Sequence, residues 1–312
     1  MKSIYIFLFT VLTANIAIGQ QMALQSQYML NKFTINPAFA GTQKGIPIHI
    51  GVRRQWSAIK EAPATQYLSS NFNLGGGLGA GVTLYNEASG PTRRTGLGLA
   101  GAYQFTLFKS GENHHQLSLG ASGILSQHAL DKKKLETYLP DDPTIIAAYE
   151  NQLLPDATFG AYYHNSDKYF VALSISNLIQ TKTDIYNIAN DVKNNFVRNY
   201  YLMAGYNIDV SDIVTIQPTT MLRAIEALPM QFDINTRLIY ENKYWIGASY
   251  RHQDAIVGMF GLSYSGIELG YSYDVTISNI KTYSNGSHEL HLTYRIATRN
   301  GVKGGRRGKR YF

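Results

Sequence analysis

Apolar and polar residues alternate strictly along much of the chain. Ile267, Leu269, Tyr271, Tyr273 and Val275 fall on one face, with Glu268, Gly270, Ser272 and Asp274 on the other. Leu290, Leu292, Tyr294 and Ile296 oppose Glu289, His291, Thr293 and Arg295 in the same way. Met230, Phe232, Ile234, Leu238 and Tyr240 oppose Gln231, Asp233, Asn235 and Arg237, and Ile46, Ile48, Ile50 and Val52 oppose His49, Gly51 and Arg53. Between Leu117 and Leu125 the alternating partners are Ser and Gly. Successive side chains of a strand point to opposite faces, so each segment reads as a strand with one apolar and one polar face. The pattern predicts about fourteen strands. They lie near 46–55, 64–72, 78–86, 93–107, 115–128, 157–164, 168–176, 196–208, 213–222, 229–240, 243–251, 254–264, 266–275 and 287–297.

The links between these strands fall into two classes. After every second strand the link is short and made of turn formers: Gly75-Gly76-Gly77, Ser110-Gly111-Glu112-Asn113, Asn165-Ser166-Asp167, Ser211-Asp212, Glu241-Asn242 and Ser265. The other links are mostly longer, the largest at 129–156, 177–195 and 276–286. Short turns on one rim and long loops on the other predict an all-β fold. It is a transmembrane outer-membrane β-barrel of antiparallel strands with short periplasmic turns and longer extracellular loops. Closure leaves no backbone group unpaired in lipid. A soluble secreted β-sandwich alternates too, but strand number, rim asymmetry and low charge favour the barrel. Tyr162, Tyr163, Tyr200, Tyr201, Tyr244, Trp245 and Tyr273 are expected in interfacial girdles.

Composition narrows the choice further. Hydrophobic residues make up 45% of the 312 and charged residues 16%, which excludes a disordered chain. Beyond residue 20 no apolar run reaches the roughly 18–20 residues of a spanning helix. Cysteine is absent, which removes disulfides, thiolate zinc sites and thiol nucleophiles.

The net charge of +7 is local. Lys2 lies in the leader, and Arg299, Lys303, Arg306, Arg307, Lys309 and Arg310 crowd the end of the chain without an acid among them. Without these seven, the 28 basic residues fall to 21, equal to the 21 acidic ones. A neutral body argues against nucleic-acid binding.

Met1-Lys2, the apolar run Ile4–Ile18 and the small residues Ala17 and Gly19 form a secretory signal peptide pattern, with cleavage expected near Gly19/Gln20. The organisation is therefore a leader at 1–19, a polar periplasmic segment at 20–45, a barrel at 46–297 and a basic tail at 298–312.

No HExxH, P-loop or GxSxG pattern is present. His114-His115 falls in an expected turn and reads as a solvated pair, and the acidic loop around Asp141-Asp142 lacks EF-hand spacing. No enzyme activity, cofactor, metal or small-molecule substrate is expected.

Several segments carry a family signature in order along the chain. They are INPAFAG at 35–41, RRQW at 53–56, APATQ at 62–66, QFDIN at 231–235, YWIGASYR at 244–251, DAIVGMFG at 254–261, LGYSYD at 269–274 and YSNGSHEL at 283–290. Together they resemble the PorP/SprF family of the Bacteroidetes type IX secretion and gliding machinery. The resemblance implies a non-enzymatic outer-membrane barrel. Such a barrel supports export or surface anchoring of cargo, such as a large adhesin, alongside periplasmic ring components or lipoproteins.

The family motif falls on Asn36, Pro37, Gly41, Arg53, Gln55, Trp56, Pro63, Thr65, Gln66, Asp233, Arg251, Asp254, Tyr273, Asp274, Ser287, His288 and Glu289. On a barrel, Arg53, Asp233, Asp274 and Glu289 face the lumen, where charges need partners or water. They form either a stiffening network or ordinary lumen hydration. Pro37 and Pro63 fix turns, and Trp56 falls at girdle level. Arg306, Arg307, Lys309 and Arg310 in the tail are candidates for a contact with a periplasmic partner or lipid. A passive or selective porin is the alternative function.

Overall fold

The computed structural model describes residues 25–111, 113–136, 151–166, 168–182, 196–226 and 228–297. The leader and the basic tail with Arg306, Arg307, Lys309 and Arg310 lie outside the described residues, as does the Asp141-Asp142 loop.

The strands are β1 (Ile46–Arg54), β2 (Ala64–Gly75), β3 (Leu78–Ser89), β4 (Thr92–Ser110), β5 (Asn113–Leu130), β6 (Asn151–Asn165) and β7 (Tyr169–Ser176). Then follow β8 (Asn199–Tyr206), β9 (Val214–Ile225), β10 (Gln231–Tyr240), β11 (Tyr244–Arg251), β12 (Ala255–Tyr264), β13 (Ile267–Thr276) and β14 (Ser287–Ile296). A two-residue bridge, Ile208–Asp209, extends the β8 side and pairs with β9. Each strand pairs antiparallel with its sequence neighbour, and β1 closes the ring on β14, with Ile46 opposite Ile296 and Arg54 opposite His288. The fold is a closed barrel of 14 antiparallel strands.

Its two faces are inverted relative to a soluble protein. Apolar side chains such as Ile50, Val52, Leu99, Ile246, Phe260 and Leu290 lie exposed on the outer surface. His49, Arg53, Asn71, Gln217, Asn235, Arg237, His291 and Thr293 are buried inside. An apolar belt outside and a polar lumen suit a wall that meets lipid. Among the described residues no helix is long and apolar enough to cross a membrane, a fact that does not bear on strands.

Three details depart from the alternation reading. First, β6 begins at Asn151 rather than 157 and carries Pro155 opposite Leu125. Proline usually marks a strand edge, and here the β7-facing edge of β6 is free at that height. Pairing of β6 with β7 starts only at Phe159, and the chain after β7 folds along the gap, where Leu178 N donates to Ala157 O at 3.0 Å. Second, Tyr162, Tyr201 and Trp245 are buried in the lumen, at 3%, 6% and 4% exposure, not in girdles. Each is adjacent in sequence to another aromatic, Tyr163, Tyr200 or Tyr244, and a strand must send one of two consecutive residues inward. Third, His115 lies in β5 and not in a turn, stacked on Phe108 at 4.1 Å and hydrogen-bonded to the Tyr163 hydroxyl at 2.7 Å.

Candidate functional site: a plug in the lumen

The lumen is filled by the chain's own amino-terminal segment. Expected as a periplasmic entry, residues 25–41 instead run inside the barrel, with Tyr28, Met29, Phe33, Ala38 and Phe39 nearly inaccessible. The physical reason is local. The segment is too short of alternation to form a strand, yet it carries five apolar anchors that the polar lumen alone would leave unfilled.

One end of the plug is held by charge. Ser26 N and Gln27 N donate to the two Glu289 carboxylate oxygens at 2.8 and 3.0 Å. The Ser26 hydroxyl lies 2.8 Å from each Asp274 oxygen and accepts from Arg53 Nη1 at 2.9 Å and Arg251 Nη2 at 3.0 Å. Arg53 bridges Asp274 at 2.7 Å and Glu289 at 3.1 Å. Arg251 reaches Asp274 at 3.2 Å, Asp254 at 3.1 Å and Asp233 at 3.3 Å. Two arginines thus gather four carboxylates around one plug serine. These side chains stand at the long-loop ends of β1, β10, β11, β13 and β14, with Asp254 in the link between β11 and β12.

The middle of the plug is held by shape. A short 3-10 turn, Pro37–Phe39, starts at Asn36, whose side chain accepts from Ala38 N at 2.9 Å. Proline suits that first position because its missing N–H has no helical partner there. The Asn36 amide then donates to two wall carbonyls, Ala161 O at 3.1 Å and Leu173 O at 2.9 Å. The wall opposite is glycine. A Cβ on Gly160 would meet Asn36 Oδ1 at 2.0 Å, and one on Gly120 would meet Ala38 N at 2.5 Å. Phe39 packs on Tyr162 at 4.0 Å between ring centroids. At the short-turn end Gly41, with φ +72°, turns the chain toward β1; its N–H donates to Asn71 and its carbonyl accepts from Asn73.

Lys32 is the plug's buried cation. Its Nζ donates to Met29 O at 3.0 Å and lies 5.2 Å from the Phe170 ring centre.

The family-motif residues sort into distinct places. Arg53, Asp233, Arg251, Asp254, Asp274 and Glu289 converge at the latch, and Asn36, Pro37 and Gly41 belong to the plug. Gln55, Trp56, Pro63 and Ser287 brace the long-loop rim: Gln55 N donates to Pro63 O at 2.9 Å and Trp56 N to Ser287 Oγ at 3.1 Å. Thr65 is buried and faces the lumen. Gln66, Tyr273 and His288 face outward; the Tyr273 hydroxyl donates to Asn285 O at 2.7 Å. Trp56 is half-buried in a left-handed turn (φ 48°) at the rim. Ser26, Gln27 and Lys32 belong to the site without having been marked by the motif. Among the described residues no cluster of His, Asp and Glu has the form of a metal site.

No curated protein sequence matches the chain. Solved structures similar in fold include the Acinetobacter baumannii outer membrane protein Omp33 (10% identity, TM-score 0.45, covering 82% of this chain and all of that one). The CymD monoaromatic hydrocarbon channel matches at 12% identity and TM-score 0.47, over 90% of this chain and 95% of that one. The KdgM porin matches at 9% identity and TM-score 0.37, over 80% and 99%. The pattern of the type IX secretion system membrane protein PorP/SprF matches residues 17–294. With a match that runs through plug and barrel, the chain belongs to the PorP/SprF family of type IX secretion membrane proteins.

Proposed function

We propose that this outer-membrane barrel is a closed, non-enzymatic platform of type IX secretion, which supports export or surface anchoring of cargo by protein–protein contacts. The observation that carries the reading is the plug. A barrel whose lumen is filled from latch to exit by its own chain suits a scaffold better than a diffusion pore. The charged latch gives the long-loop mouth a fixed shape on which a partner could register. Large adhesins remain the cargo class that the family resemblance suggests. The leader at 1–19 directs export and is removed near Gly19/Gln20, and the short turns then face the periplasm.

Mild-detergent affinity purification from the native outer membrane tests this reading. Recovery of a large secreted protein or of periplasmic ring components is expected, with a barrel mass that begins at Gln20. Recovery of the barrel alone, repeated after crosslinking, would favour the porin. The tail adds a second expectation. Replacing Arg306, Arg307, Lys309 and Arg310 by Gln should reduce partner recovery at low salt and matter less at high salt, where surface charge is screened. Identical recovery at both salt levels would remove the tail from the contact.

A further inference from the structure

The outer wall changes chemistry around its long-loop rim. On β10, β11 and β13 the outward residues at that rim are Phe232, Tyr250, Tyr271 and Tyr273, an aromatic band of the kind that marks the headgroup level. Tyr273 stands opposite His288, and His288 stands opposite Arg54 of β1. The same level therefore continues onto β1, where the aromatic residues stop. The outward residues that follow are Arg54 on β1, Gln66 on β2, Asn86 on β3, Arg93 and Thr95 on β4 and Gln127 on β5. They form a connected polar strip. The Asn86 amide donates to Gln66 Oε1 at 3.3 Å, and its Oδ1 accepts from Arg93 Nε at 2.6 Å and from the Thr95 hydroxyl at 3.3 Å. Beneath the strip, two residues toward the short turns on each strand, lie the exposed side chains Val52, Leu68, Leu84, Leu97 and Leu125. Arg54 and Arg93 carry the strip's charge, and both are exposed. Among the described residues neither forms an ion pair with a carboxylate. Glu87 lines the lumen side, and Glu61 pairs with Lys134 at 3.2 Å. Cations at the edge of a lipid-facing wall are costly unless an anion meets them.

We propose that this strip is a docking surface for a phosphate-bearing lipid headgroup in the leaflet on the long-loop side. Phosphate takes parallel N–H···O bonds from the planar fork of an arginine, which an ammonium does not offer. Gln66, Thr95 and Gln127 supply donors and acceptors for the polar groups beside the phosphate. The apolar row lies about 7 Å down each strand, two residues of rise, where the acyl chains of the same lipid begin. A free phosphate would match the arginines and leave that row unused, whereas a lipid matches both. The proposal needs only the membrane barrel and holds whether or not the barrel is a secretion platform.

Full-length protein in neutral detergent micelles is titrated with diphosphoryl lipid A, and bound lipid is counted by native mass spectrometry. Saturable binding is expected. Arg54→Gln and Arg93→Gln should each raise the half-saturation concentration about fivefold, the scale of one cation at a charged lipid surface. The double variant should raise it further, by about the product of the two. Lys109→Gln, at the short-turn end of β4, should leave it unchanged. Gel mobility before and after heating confirms that each variant is a closed barrel. The proposal is overturned if the double variant binds like the intact protein, or if Lys109→Gln weakens binding as much as the arginine variants do. It is also overturned if lipid A stripped of its phosphates binds as tightly, or if soluble glucosamine 1-phosphate displaces the lipid at equal concentration.

Discussion

Arg251→Ala is expected to destabilise the barrel by about 3–5 kcal/mol, the cost of leaving buried charge without its partner. Arg251 is fully enclosed and touches Asp233, Asp254, Asp274 and the plug's Ser26. Its removal leaves Asp233 and Asp254 without their guanidinium, while Asp274 and Glu289 keep Arg53. Asp233 and Asp274 are buried, so solvent does not compensate them, whereas Asp254 is partly exposed. The urea midpoint of the refolded protein should fall accordingly. Asp233→Asn in the Arg251→Ala background should recover part of the loss, because Asp233 is buried and loses its ion pair with the guanidinium. An unchanged midpoint in the single variant would mean that the latch contributes little to folding.

Gly120→Val is expected to release the plug while leaving the barrel closed. The added Cβ would stand 2.5 Å from Ala38 N and 2.6 Å from Pro37 C, both plug backbone atoms that cannot rotate aside. The wall is hydrogen-bonded on both sides of β5, whereas the plug is joined to the wall by a few side-chain contacts at this height. The plug therefore yields first. Lys32, 4% exposed in the intact protein, reports the change. Trypsin cleavage after Lys32, followed by mass spectrometry, should accelerate roughly tenfold or more, given overpacking costs of about 1–3 kcal/mol. Gly123→Val is the control, since a Cβ there meets nothing within 4 Å. Equal cleavage rates in the two variants would contradict the packing described for the plug.

Most of the wall was legible because alternation is a direct consequence of strand geometry, and lipid outside with polar contacts inside sharpens it. It failed where another constraint intervened. Pro155 hid the start of β6, because proline is tolerated on an edge left open by the late start of pairing with β7. Trp245, Tyr162 and Tyr201 were misplaced because aromatic type was read ahead of position parity. The latch was half legible: Arg53, Asp233, Asp274 and Glu289 lay on the inward faces of predicted strands, so their convergence followed from closure.

The plug was not legible, since its segment has neither strand nor helix periodicity. Its trace lies in the wall. The Ser and Gly partners of 117–125 include Ser118 and Gly120, inward residues kept small beneath the plug. Gly79, whose Cβ would meet Ala40 O at 2.1 Å, and Gly160 continue that path across β3 and β6. Small inward residues on separate strands are a signal of an occupied lumen, but one that becomes readable only when register aligns them.

Single-channel recording of the intact full-length protein in planar bilayers tests the central claim that the amino-terminal segment closes the barrel. Silence is expected from the intact protein, and steady conductance once residues 25–41 are deleted. Steady conductance from the intact protein, equal to that of the deletion variant, would contradict it.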